Sequence, residues 1–201
     1  MKRLLPIISI IFILSCSSDE EGITKEESLN EYSYFLELDI PQFKGNVNGS
    51  YMIYQFGHNT YQMGSSSWNP KDDPKEPTRK SLFVLNQENG NNQFVISTPT
   101  YDSSSPAEVD EVFGTGIKKL GPGPDNFYIQ IRSGNSTFKI CEEESVYEIE
   151  VLKSKEIFVD HSGIQYMNVW FKIDKVHSAN CSGGNSFNIQ NALILAQFVQ
   201  K

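Results

Sequence analysis

Apolar and polar positions alternate with a period of two along several stretches of this chain, the pattern of strands buried on one face. In Phe127-Tyr128-Ile129-Gln130-Ile131-Arg132 the odd positions are apolar and the even ones polar or amphipathic. Further on, Met167, Val169, Phe171 and Ile173 share one face, while Asn168, Trp170 and Lys172 share the other. Clusters of Gly, Asn, Pro and Ser separate candidate strands at residues 33–39, 51–56, 81–86, 93–98, 127–132, 137–141, 146–151, 156–159, 166–177 and 188–199. Residues 191–198 are apolar on both faces, which predicts a central strand closing the domain. Residues 64–80 read as a long surface loop carrying Trp68.

One short helix is expected after Ser105. That serine suits an N-cap, Pro106 the first helical position and Glu108 the third residue after the cap, and Gly114 or Gly116 ends the run. The pattern as a whole predicts a mainly β chain, an antiparallel β-sandwich or open β-barrel with one short helix.

The hydrophobic pattern at the N-terminus is of another kind. Lys2 and Arg3 precede an apolar run from Leu4 to Leu14, too short to cross a bilayer of about 30 Å as a helix. Ile13-Leu14-Ser15-Cys16 then places an aliphatic residue three before a cysteine and a small one directly before it. This segment resembles the lipobox of bacterial lipoproteins, which implies lipidation of Cys16 and a mature chain starting there. Residues 1–15 would then be a signal peptide, residues 16–31 a lipidated cysteine with a flexible acidic tether, and residues 32–201 a single β-rich domain. With two or more acyl chains at roughly 0.8 kcal/mol per buried methylene, such an anchor holds to the lipid bilayer permanently.

Composition narrows the partners. The net charge is −8, and removal of Lys2 and Arg3 would take it to −10. An acidic chain lacks the basic footprint that nucleic acid requires, so no nucleic-acid partner is expected. With Cys16 spent on lipid, Cys141 and Cys181 remain, and in an exported protein they are expected to form a disulfide or stay as two thiols. Pairing would close a loop of about 40 residues, worth roughly 4 kcal/mol in the chain-entropy model.

The serine-plus-acidic run Ser17-Ser18-Asp19-Glu20-Glu21 resembles the segment after the lipidated cysteine in surface lipoproteins of the Bacteroidota. Further pieces match small lipoproteins of that group with a β-sandwich or calycin-like domain. They are Phe43-Lys44-Gly45-Asn46-Val47-Asn48-Gly49, Glu111-Val112-Phe113-Gly114-Thr115-Gly116, Val169-Trp170-Phe171-Lys172-Ile173 and Ala192-Leu193-Ile194-Leu195-Ala196-Gln197-Phe198. The resemblance implies an outer-membrane, surface-exposed lipoprotein, and it carries no catalytic signature.

Candidate chemistry is sparse. His58, His161 and His177 stand far apart, with no ligand spacing between them or with a cysteine, so no metal or other cofactor is expected. Asp72-Asp73 and Glu142-Glu143-Glu144 lack the alternating spacing of a calcium loop. Gly64-Ser65-Ser66-Ser67 is not a nucleophile elbow, and Gly121-Pro122-Gly123-Pro124 is a rigid turn rather than a phosphate cradle. No catalytic residue is assigned.

Binding is better motivated. Trp170 beside Asn168 and Lys172, and Tyr128 beside Gln130 and Arg132, would form an aromatic platform with polar flanks if their strands were neighbours. Trp68 is a second aromatic candidate. Rings of this kind stack on the apolar C–H faces of sugars, while amides and cations meet the hydroxyls. A non-catalytic module for glycans is the leading expectation. A structural lipoprotein contacting another envelope protein is the alternative, and a hydrolase the third.

Overall fold

The computed structural model describes residues 31–69, 78–141, 146–159, 161, 163–178 and 186–199. Among the described residues eleven strands, all paired antiparallel, form two sheets. The first has the order β2-β1-β11-β10-β9-β6, with β1 Gln42–Val47, β2 Ser50–Gln55, β6 Gly116–Leu120, β9 Tyr147–Val159, β10 Gln165–Ser178 and β11 Phe187–Val199. The second has the order β3-β4-β5-β7-β8, with β3 Tyr61–Trp68, β4 Thr78–Gln87, β5 Asn92–Asp102, β7 Tyr128–Ser133 and β8 Ser136–Lys139. The expected mainly β sandwich with a short helix is what forms.

The alternating residues build the core between the sheets. Phe43 stacks on Phe94 at 4.7 Å between ring centroids, and Phe171 meets Phe127 and Phe198 edge-on at 5.3 and 6.3 Å. Ile129 and Ile131 from one sheet and Val169, Ile173 and Ile194 from the other are fully buried. The doubly apolar β11 lies between β1 and β10, as a strand buried on both sides should.

The β1–β11 contact depends on Gly45. A Cβ there would lie 2.8 Å from the Ala192 Cβ, so only glycine lets the strands approach. The irregularity lies between Lys44 and Asn46, opposite Asn191, which takes a left-handed φ of 51°.

Helix α2, Pro106–Phe113, starts on Ser105 as expected, the Ser105 hydroxyl accepting from the Glu108 N–H. The Glu108 carboxylate accepts from the Asp102 N–H at 2.8 Å, gripping the end of β5. Phe113 packs edge-on against Tyr101 and tilted against Phe198, so the helix covers one end of the sandwich.

Four expectations need correction. Residues 33–39 are not a strand, because residues 31–35 are helical (α1) and a turn follows. Phe35, Leu36 and Leu38 all pack against one patch, a crowding that a strand's alternation would split between faces. The predicted loop 64–80 instead begins inside β3 and ends inside β4. Its glycine and serines read as loop residues, yet Ser65 accepts from the Val199 N–H at 3.0 Å and Ser67 donates to the Val199 carbonyl at 2.7 Å. Those hydroxyls tie edge strand β3 to the end of β11 and close a corner between the sheets. Strands β1 and β6 had no predicted counterpart. Residues 147–151 and 156–159 belong to one strand, β9, which runs through the polar Lys153-Ser154-Lys155 between them because β10 pairs with it along that stretch.

Candidate functional site: the outer face of the five-stranded sheet

The aromatic platform expected from two neighbouring strands does not form, because β7 and β10 lie in different sheets. Trp170 is 1% exposed and Asn168 equally buried, so the expectation that Trp170 faces solvent is corrected. Its strand does turn Trp170 away from the main core, but α1 and the turn after it lie on that outer face. Phe35 and Leu195 close over the indole, and Lys153 stands over the ring at 4.6 Å while donating to the Leu36 carbonyl at 3.0 Å. The Trp170 Nε1, the Asn168 Oδ1 and the Gln42 Nε2 are sealed with no hydrogen-bond partner among the described residues.

Lys172 stays partly exposed on the same sheet. It pairs with Asp174 at 2.7 Å, and that hydrogen bond holds its ammonium above the usual lysine value. With Tyr32, Lys44, Asn46 and Tyr51 it lines a groove of about 570 Å³. Lys44 there is paired with Glu31 at 2.6 Å, so both cations of this groove are already neutralised.

The other expected residues share the second sheet without meeting, since Trp68 lies in the row of Lys80 and Arg132 three strands away in the row of Asn86, roughly 25 Å apart. Inward Phe83, Leu85, Phe94, Ile96, Ile129 and Ile131 are fully buried, so strand alternation puts their neighbours on the outer face of the five-stranded sheet. That face receives Trp68 from β3, Lys80, Leu82 and Val84 from β4, and Val95 from β5. Strand β7 supplies Gln130 and Arg132, with Tyr128 at the border, and β8 supplies Thr137 and Lys139.

Trp68 is 52% exposed and lies directly opposite Lys80 in the β3–β4 ladder. Partial burial of Lys80 holds its ammonium below the usual lysine value. Val84 lies opposite Val95, an apolar pair in the middle of the face that gives way to Gln130 on the next strand. Gln130 in turn is opposite Lys139, and Arg132 opposite Thr137. Tyr128 is half-buried, touches the core cluster and donates to the Ile140 carbonyl at 3.5 Å, so it borders the face rather than standing on it. Three of the six sequence-derived binding residues, Trp68, Tyr128 and Arg132, therefore share one sheet. The other three, Trp170, Asn168 and Lys172, share the opposite one.

Lys80 and Lys139 were not singled out from sequence. For Lys139 a signal existed, since Phe138 and Ile140 alternate with Thr137 and Lys139. What was missing was the strand order that brings β8 to the same sheet as β3.

Cys16 and Cys181 lie outside the described residues. Cys141 is buried; its N–H donates to the Ser178 hydroxyl at 3.2 Å, and that hydroxyl donates to its sulfur at 3.3 Å. His58 falls in the turn between β2 and β3, His161 between β9 and β10, and His177 near the end of β10. No described helix is long and apolar enough to cross a membrane. Comparison of this chain with protein-family models, with curated proteins and with solved structures finds no match.

Proposed function

We propose that this protein is a surface lipoprotein of the Bacteroidota type, held in the outer membrane through acylated Cys16, whose domain is a non-catalytic binding module for glycans. One observation carries the binding reading: Trp68 stands half-exposed on the outer face of a sheet whose other outward residues include Gln130 and Arg132. A flat indole offers stacking area to the C–H face of a sugar ring, and the amide and guanidinium supply hydrogen bonds to hydroxyls. Placing such groups on strands fixes their spacing better than loops would.

The anchor and this face are arranged compatibly. Residue 31, where the tether would join the domain, belongs to α1 on the outer side of the six-stranded sheet. The Trp68 face points the opposite way, away from the attachment side.

We also propose that Cys141 and Cys181 are paired. Ser178 touches the Cys141 sulfur, and the three residues from Ser178 to Cys181 reach at most about 10 Å when extended. Peptide mass mapping without reduction is expected to recover the two cysteines joined, and recovery as separate thiols overturns the pairing.

The glycan reading is tested by affinity electrophoresis of the full chain in non-ionic detergent against a panel of polysaccharides. Retardation by at least one polymer that disappears in Trp68→Ala supports it. Retardation by none moves the assignment to an envelope-protein partner, for which strand β6 offers exposed Ile117 at the edge of its sheet, near exposed Val146.

A further inference from the structure

The five strands of the second sheet carry more basic than acidic residues although the chain is acidic overall. The whole protein has 25 acidic and 17 basic residues. Strands β3, β4, β5, β7 and β8 contain Arg79, Lys80, Arg132 and Lys139 but only one acid, Asp102. That acid sits at the end of β5 and is occupied: the Ser104 N–H and hydroxyl both donate to its carboxylate at 2.7 Å. The strands of the first sheet carry Glu148, Glu150, Glu156 and Asp174 among seven lysines, so what sets the second sheet apart is the lack of acids at its outward strand positions and not its net charge.

Alternation puts Lys80, Arg132 and Lys139 on the outer face together with Trp68. None of the three is ion-paired with a carboxylate among the described residues, whereas Lys44 and Lys172 on the opposite side are. From β4 to β8 is three strand spacings, or roughly 15 Å. The cations are therefore spread around the Val84–Val95 pair, Lys80 and Arg132 in rows on either side and Lys139 at the end of the same row, instead of forming a single point charge. At physiological ionic strength fields fade over about 8 Å, so each of these cations acts on the groups of a ligand that lie close to it.

Resting on the glycan reading above, we propose that this face takes an acidic polysaccharide, one whose sugars carry carboxylate or sulfate groups. Trp68 stacks on a ring, and Lys80, Arg132 and Lys139 meet the anions around the Val84–Val95 pair. Arg132 can receive a carboxylate or sulfate through two parallel N–H bonds, and the lysines act as point charges. A neutral glycan would leave three cations unanswered, and a polyanion without rings would leave Trp68 unused.

The test is affinity electrophoresis of the full chain in non-ionic detergent with four probes: polygalacturonate, dextran sulfate, unsubstituted dextran and polyglutamate. Retardation by polygalacturonate or dextran sulfate that weakens with added salt is expected, with polygalacturonate alone identifying carboxylate recognition and dextran sulfate alone sulfate recognition. A Lys80→Gln, Arg132→Gln, Lys139→Gln triple variant is expected to bind about tenfold more weakly, the summed effect of three exposed charge contacts. Trp68→Ala is expected to lose sugar binding while its weak response to polyglutamate stays unchanged. Retardation by dextran equal to that by the acidic polymers overturns the acidic assignment and leaves the glycan reading standing. Equal retardation by polyglutamate overturns the inference as mere charge attraction. Retardation by none of the four, with a neutral polysaccharide of the wider panel still bound, also overturns the acidic assignment alone. Silence across the whole panel overturns both.

Discussion

Phe35 lies against Trp170 in a small cluster on the outside of the six-stranded sheet, apart from the main core. The contact turns the most conspicuous aromatic of the longest alternating strand into a buried residue. Phe35→Ala is expected to cost about 3 kcal/mol, the usual range for a fully buried phenylalanine, and to open Trp170 to solvent. Urea unfolding gives the first quantity. Acrylamide quenching in a Trp68→Phe background gives the second, since the chain has only two tryptophans.

That relationship also shows where sequence pattern stops being informative. The alternation of Met167 to Ile173 correctly divides inward from outward residues, and Val169, Phe171 and Ile173 are all buried in the core. Period two says which side a residue leaves the strand. It does not say what else lies on that side, and for Trp170 the answer came from a segment over a hundred residues earlier. The same gap hid the face around Trp68. Strand β3 is rich in serine and glycine, residues that carry weak strand preference, and its pairing is fixed by β4 and by Val199. Helix α2 was legible because its cap, first turn and stop are all local. Sheet order is not local, and the site depends on it.

Gly45 should tolerate no side chain. Gly45→Ala forces a Cβ against Ala192 and is expected to lose about 1 to 3 kcal/mol in chemical denaturation. Adding Ala192→Gly should recover part of the loss, because the opposing methyl is then gone.

The corner joining β3 to β11 rests on hydroxyls where a ladder of backbone bonds would otherwise run. Ser65→Ala removes the acceptor for the Val199 N–H, with an expected cost of about 1 kcal/mol. Hydrogen exchange at Val199 should speed up in that variant while exchange at Ile194, deep in the core, changes only by the global loss.

Alkaline pH should destabilise the fold. Burial first, and then the nearby Tyr61, push the Tyr54 hydroxyl up to about 12, against 10.0 for an unperturbed tyrosine. Between those values the folded protein keeps a proton that the unfolded chain has released, so stability falls as pH rises. The contribution is fully present below pH 10.0 and is lost as pH climbs through the folded value. Burial raises Tyr61 and Tyr101 in the same direction. Urea midpoints on either side of pH 10.0 should show the decline, and Tyr54→Phe should make it shallower.

The most direct test of the central claim uses the two tryptophans themselves. Trp170 is buried and Trp68 half-exposed, so acrylamide quenching of the folded protein reports mainly on Trp68. Titration with a polysaccharide that retards the protein in the gel should protect this emission from quenching, saturating with the binding. Quenching that stays unchanged while the polysaccharide is bound would contradict the account, because the sugar would then be held somewhere other than the Trp68 face.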